Sequence, residues 1–391
     1  MRFDWPDEMA AFRQEVRAYA ERQSAADGVR WGDDDQDKLD AIGLHNREEL
    51  DHRGWLRISW PKELGGEGRS PWYQFLLALE VGYHDVEYGR GGTASMIGPA
   101  LMKFGTEEQR ADLVPKIWSG EITCALGYSE PDAGSDLASL RTRAVRDGDE
   151  YVINGSKIWS SNAHRTTHVW LACRTDPDVP KHRGISIFIV PLDTPGITIR
   201  PIWVMSGHRT NEVFYDDVRI PASALVGEEN RGWYIMANAL DHERVTIGVN
   251  NYIDLVRTFE DSMSYLRERR PDLLADPQAR LRLAEIKLDI HALRALLYAC
   301  SDKIARGEAP SKEASMSKVW ATELRYRMSS ALMDMLGRPG VQAKGSAEPA
   351  ALGGRIEQMF RHAAQARFTG GANELQKTII AERGLGLPRG A

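Results

Sequence analysis

The chain reads as an α+β protein, mostly α, with an N-terminal helical domain over residues 1–120, a central small antiparallel β domain over 121–225 and a C-terminal helical bundle over 226–391. Three observations predict this. Helix-period apolar patterns fill both ends of the chain. The middle is a series of short β-rich runs separated by turn clusters. Composition is that of an ordinary globular protein, 42% hydrophobic and 27% charged over 391 residues, which is long enough to bury substantial cores.

In chain order, PDEMAAFRQEVRAYAERQ and SPWYQFLLALEVGYHD carry helical periodicity, with the Gly/Pro-rich WPKELGGEGRSP between them. From about residue 121 the runs ITCALGY, EYVING, HVWLACR, GISIFIV and EVFYDDVRI predict strands, broken by EPDAGSD and RDGDE. Beyond Pro221 the helical texture returns. Leu283, Ile286, Ile290, Leu293 and Leu297 share one helix face, and Trp320, Leu324, Met328, Ala331 and Met335 form a second stripe that ends at Gly337, a helix stop. Apolar faces of this kind pack against one another as a bundle core.

The 50 basic and 56 acidic side chains leave a net charge of −6, which offers no general attraction to nucleic acid or to an anionic bilayer. Cys124, Cys173 and Cys300 are far apart, odd in number and without metal-ligand spacing, so they read as reduced structural thiols in a cytoplasmic setting, and no metal site is expected. The amino terminus has no secretory pattern and no window approaches the length of a membrane span. Asn154-Gly155-Ser156 therefore matches a glycosylation sequon by chance. Neither a Walker loop nor a G-x-G-x-x-G fingerprint is present, so any nucleotide site is not of Rossmann type.

Several segments carry candidate chemistry. In YSEPDAGSD a strand end runs into a turn fixed by Pro131 and relaxed by Gly134, leaving N–H groups and hydroxyls to face an anion or a ring edge. In NGSKIWSSN, Asn154-Gly155 reads as a hairpin turn, and strand alternation after it sets Trp159 and Ser161 on one face, toward one flat ligand. Taken alone, a Trp on a strand is ordinary packing and the His-Glu-Arg of LDHERVTIG is a solvated ion-pair face. His208-Arg209-Thr210-Asn211 reads as an exposed loop, with solvation preferred over contact with a CoA phosphate.

Five segments, GWLRISWPKELGG, ALGYSEPDAGSDL, INGSKIWSSNA, VFYDDVRIP and GGANELQKTIIAERGLGLPR, stand in the order found in acyl-CoA dehydrogenases, and the chain resembles that family from end to end. The resemblance implies the acyl-CoA dehydrogenase fold, an FAD cofactor and α,β-desaturation of an acyl-CoA thioester to a trans-2-enoyl-CoA. It places Tyr128 and Ser129 at the flavin pyrimidine edge, Gly134 and Ser135 near the pyrophosphate, Trp159 against the ring, Ser161 near N5, and Glu374 in the cofactor site. The base of one branch of the family falls at Gly370, which has no acid group, whereas a second branch has it immediately before a helical arginine. That implies Glu243 as base, with Arg244 beside the substrate and Gly370 N–H, with a flavin ribityl hydroxyl, as oxyanion donor. The implied acceptor is an electron-transfer flavoprotein.

The sequence departs from the family at the positions that serve the adenosine half of the cofactor: PDLLADPQARLRLAEIK stands where Arg-x-x-Phe-Gly is usual, and Arg338 and Ala372 replace a Gly and a Thr. Those departures, and the ending GLGLPR, make it similar to the base-bearing subunit of the α2β2 acyl-CoA dehydrogenases of actinobacterial steroid side-chain catabolism. A homotetramer, or a heterotetramer with a homologous chain, is the implied assembly. The alternatives are an acyl-CoA oxidase or flavin monooxygenase of the same fold, and a non-catalytic companion subunit.

Overall fold

In the computed structural model the described residues are 5–29, 35–88 and 93–388, excluding the side chains of Leu64, Ala94, Ser95 and residues 240–247. The helices are α1 (Asp7–Asp27), α2 (Gln36–His52), α3 (Pro71–Tyr83), α4 (Gly98–Phe104), α5 (Glu107–Ser119), α6 (Gly232–Arg269), α7 (Pro271–Ala275), α8 (Pro277–Ala305), α9 (Ser311–Leu336), α10 (Arg338–Val341), α11 (Arg355–Ala366) and α12 (Asn373–Ile379). The strands are β1 (Cys124–Gly127), β2 (Arg143–Asp147), β3 (Glu150–Lys157), β4 (His168–Arg174), β5 (Ile185–Pro191), β6 (Ile197–Trp203), β7 (Arg209–Pro221) and β8 (Leu225–Val226). Among the described residues no helix is long and apolar enough to cross a membrane. The mostly helical α+β class is as expected, and the chain packs as two compact units, Met1–Gly89 with Arg244–Ala391, and Arg90–Glu243.

In the first unit, helix ends follow local chemistry. The Asp276 carboxylate accepts from the N–H groups of Gln278 and Ala279 and Pro277 opens α8, while Gly337 closes α9 at φ +62°. The predicted α8 face is correct: Leu283, Ile286, Ile290, Leu293 and Leu297 are all buried. On α9 the expected stripe is displaced. The buried face runs Ala321, Leu324, Met328, Leu332, Leu336, whereas Trp320 is 37% exposed, with its ring N–H donated to the Asp289 carbonyl on α8 at 3.0 Å. A large apolar ring marks the rim of a helix contact as readily as its centre when its polar tip has a partner.

Ion pairs also hold this unit together. On α3, Glu80 is buried and accepts from Arg13 and Arg17 of α1 at 2.5 and 2.9 Å. Asp254 of α6 is shared between Arg325 of α9 at 2.6 Å and Arg355 of α11 at 3.0 Å, and Arg355 also reaches Asp261 at 3.0 Å. Burial would raise the Asp254 carboxyl, but the two guanidinium groups hold it below the usual carboxylate range.

The second unit is built on one sheet in the order β6-β7-β3-β2-β4-β5-β8, with β1 beside β4. Pairing is antiparallel except for β1 with β4 and the short β2–β4 contact, which are parallel. Its core includes Tyr151, Ile153, Val169, Leu171, Phe188 and Val190. The hairpin expected at Asn154-Gly155 is not there. Both residues lie inside β3, where the register against β7 shifts between Ile153 and Gly155, and the β2–β3 turn is at Gly148, φ +66°. Gly155, at φ +143°, is a bulge glycine: a Cβ there would lie 2.7 Å from Thr142 Oγ1 and 2.8 Å from its Cα.

Candidate active site

In the second unit the Tyr128–Asp136 loop leaves the end of β1 and is fastened from behind. Glu130 and Ala133 exchange two backbone hydrogen bonds, at 2.9 and 3.1 Å, which closes the turn containing Pro131 and Asp132. The Glu130 carboxylate turns inward, accepting from the N–H groups of Arg141 and Thr142 at 2.6 and 2.8 Å and from Lys157 Nζ at 2.7 Å. Lys157 is fully buried, and it also donates to the Tyr128 carbonyl at 3.1 Å. Burial would raise the Glu130 carboxyl, but the Lys157 charge and the surrounding donors outweigh burial and hold it below the usual range.

This ion pair was missed from sequence. A Lys within a strand and a Glu within a turn give no local sign that they meet.

The loop and the end of β3 are stitched together, with the Ile158 N–H donated to the Ser129 carbonyl at 2.9 Å. Next in the chain is Trp159, which does not continue the strand. β3 ends at Lys157, and Trp159 takes φ +63° with 55% of its surface exposed. The alternation argument for Trp159 and Ser161 therefore fails, although both are exposed on the same short turn, beside Ser129. A bulky residue in left-handed geometry is strained by about 1–3 kcal/mol and persists only where its surroundings over-determine it.

Ser129 is half-buried, whereas Gly134 and Ser135 are exposed, and a Cβ on Gly134 would meet nothing within 4 Å. No protein packing requires the smallness of that glycine. The loop reading of His208–Asn211 is corrected: β7 starts at Arg209, and Thr210 and Asn211 are 4% and 0% exposed because they pack under the Trp159 turn.

In the first unit, Gly370 and Gly371 take φ +65° and +88° ahead of α12. Their loop is tied to α9 by Lys318, a buried residue whose Nζ donates to the Arg367 carbonyl at 3.1 Å and to Asn373 Oδ1 at 2.7 Å. Asn373 in turn donates to Thr322 Oγ1 and Glu323 Oε1 at 3.0 and 2.9 Å. Burial pulls the Lys318 ammonium down to about 8. Gln376 donates to the Gly370 carbonyl at 3.4 Å, and Glu374 is exposed in the first turn of α12.

Glu243 and Arg244 both fall within α6, as the helical reading requires, and their side chains lie outside the described residues. The structure thus gathers Ser129, Gly134, Ser135, Trp159 and Ser161 on the loop and turn that the Ile158–Ser129 hydrogen bond joins in the second unit, with the Tyr128 side chain buried beneath them, and places Gly370 just ahead of α12, whose first turn carries Glu374, in the first.

Family models cover almost the whole chain: the acyl-CoA dehydrogenase N-terminal domain matches residues 6–121, the middle domain 125–218 and the C-terminal domain 230–385. The chain belongs to the acyl-CoA dehydrogenase family, a class of oxidoreductases. Acyl-CoA dehydrogenase FadE26 of Mycobacterium tuberculosis is 36% identical over 100% of this chain and 99% of its own, and FadE29 of the same organism is 36% identical over 86% of each. Among solved structures, the Tcur3481-Tcur3483 steroid ACAD superposes with a TM-score of 0.87 at 38% identity, covering 100% of both chains. The ChsE4-ChsE5 complex from Mycobacterium tuberculosis gives 0.87 at 34% identity over 100% of both chains.

Proposed function

We propose that this acyl-CoA dehydrogenase is FAD-dependent and desaturates the Cα–Cβ bond of a bulky acyl-CoA thioester, with a steroid side-chain CoA as the leading substrate class. The observation that carries the flavin reading is the exposed, strained Trp159 held next to Ser129. An indole in water satisfies no packing need of its own, and a flat ring laid against it would bury it. Gly134, where a Cβ would meet nothing within 4 Å, leaves room for a diphosphate to approach the backbone, with the Ser129 and Ser135 hydroxyls available as donors. Family members generally use FAD, and when bound it supplies the acceptor for the β hydride.

The chain's own residues supply the remaining chemistry. Glu243, as general base, removes the α proton, and the Gly370 N–H meets the charge that develops on the thioester oxygen. Left-handed geometry at Gly370 and Gly371 points the backbone of this loop in a direction that other residues reach only with strain. Substrate class and assembly are argued from the relatives: the similar chains are named as a steroid ACAD and as members of two-chain complexes, and the departures at the adenosine-binding positions fit an α2β2 assembly in which a homologous chain completes the flavin site. An electron-transfer flavoprotein is the proposed acceptor.

The test is anaerobic absorbance of the flavin-loaded chain, with and without a homologous partner, as acyl-CoA thioesters are added. Bleaching of the flavin band with wild type but not with Glu243→Gln supports the assignment. Bleaching at an undiminished rate in Glu243→Gln removes Glu243 as base, and rapid oxygen consumption without an acceptor protein replaces the dehydrogenase with an oxidase.

A further inference from the structure

The turn that carries Trp159 lies beyond the end of β3, yet its geometry is imposed by the neighbouring strand. Lys157 pairs with Val213, so an unbroken β3–β7 register would set residue 159 opposite Asn211. Instead Ser160 takes that place. Its N–H donates to the Asn211 carbonyl at 2.9 Å, and its carbonyl accepts from Asn211 Nδ2 at 2.8 Å. Trp159 becomes one residue too many and is extruded, which accounts for its left-handed φ and its exposure together.

We propose that Asn211 is the positioning residue that sets Trp159 for flavin contact, an inference that rests on the flavin reading above. Every polar atom of the Asn211 side chain is committed to this turn or to its own orientation. Arg209 Nε donates to Oδ1 at 3.0 Å, so that the amide nitrogen faces Ser160 and lies 3.1 Å from His164 Nδ1. The turn is closed further by the Ser161 N–H on the Trp159 carbonyl at 2.8 Å and the Ala163 N–H on the Ser160 carbonyl at 3.3 Å. Asn211 has no exposed surface and does not face the flavin surface itself, so its effect reaches the cofactor through Trp159. Asp in its place keeps the acceptor for Arg209 but turns an oxygen toward the Ser160 carbonyl, which repels it.

The experiment is an FAD titration of the full apo chain, alone and with a homologous partner, followed by flavin fluorescence and by the visible circular dichroism of the bound flavin, for wild type, Asn211→Asp, Trp159→Ala and the double variant. Loss of an aromatic stacking contact costs roughly tenfold in affinity. Asn211→Asp is expected to weaken FAD binding by about tenfold and to change the flavin dichroism, while adding less than about twofold in the Trp159→Ala background. Should Asn211→Asp fail to fold, Arg209→Leu, which leaves Asn211 in place and frees only its amide, carries the same test with an expected loss of about threefold. Asn211→Asp binding FAD as wild type does, or losses that multiply fully in the double variant, overturn the proposal while leaving the flavin reading intact. A wild-type chain that binds no FAD even with a homologous partner present overturns both.

Discussion

Lys157 and Glu130 form an ion pair at 2.7 Å in which the lysine is 0% and the glutamate 8% exposed, directly beneath the loop that presents Ser129. Removing one partner leaves the other charge buried alone, which costs about 3–5 kcal/mol. Lys157→Met is therefore expected to lower the unfolding free energy by about that amount in urea titrations, and to release the Tyr128 carbonyl. A loss under about 1 kcal/mol would mean that water reaches Glu130 easily.

The same pair sets an acid limit. Because the Glu130 carboxyl is held below its ordinary value of 4.5, its contribution to stability is full above that value and is lost as pH falls through the folded-state value. Melting temperatures taken from pH 7 downward should fall more steeply for wild type than for Glu130→Gln, so that the gap between the two curves narrows below about pH 4.5.

Lys318 shifts in the same direction, in a higher pH window. Burial takes it from 10.5 to about 8, so between those values the unfolded chain binds the proton that the folded chain has released. Its contribution to stability therefore rises with pH across that window. Subtracting the stability profile of Lys318→Met from that of wild type should isolate a rise between about pH 8 and 10.5, and a flat difference would show that the ammonium remains hydrated. The deprotonated amine still has two N–H groups for Arg367 and Asn373.

Trp159→Gly relieves left-handed strain and exposes little new surface, while glycine adds backbone entropy to the unfolded chain. The two effects nearly cancel. The unliganded protein should stay within about 1 kcal/mol of wild type in stability, whereas affinity for FAD falls at least about tenfold.

At Gly371, φ is +88° and a Cβ would lie 2.5 Å from Gln376 Nε2, so alanine meets strain and a clash together. Gly371→Ala is expected to destabilise by about 2 kcal/mol, measured by urea denaturation. Gly370→Ala, strained at φ +65°, should lower kcat while FAD remains bound.

Much of this architecture is legible in the residues. The α8 stripe from Leu283 to Leu297 and the runs that became β1, β3, β4, β5 and β7 follow directly from period and composition. β2, RAVRD, was hidden by its charges, and β6, ITIRPIW, by its proline, because their pairing depends on neighbours rather than on their own pattern. Asn154-Gly155 carries the dipeptide of a tight turn but serves as a bulge, since the strand on either side is already paired with β7. Trp159 is exposed, but not by strand alternation: the slip that exposes it is enforced by Asn211, 52 residues later, which no local pattern encodes. Glu130 with Lys157, and Lys318 with Asn373, were invisible for the same reason.

The carboxylate that joins three helices of the first unit also orders events during synthesis. Asp254 meets Arg325 and Arg355, and Arg355 follows it by 101 residues. A nascent chain leaving the ribosome exposes the α6 carboxylate long before its second guanidinium exists. The charge balance of this bundle waits for α11, so a chain that stalls between α9 and α11 carries the Asp254 carboxylate with one of its two guanidinium partners missing.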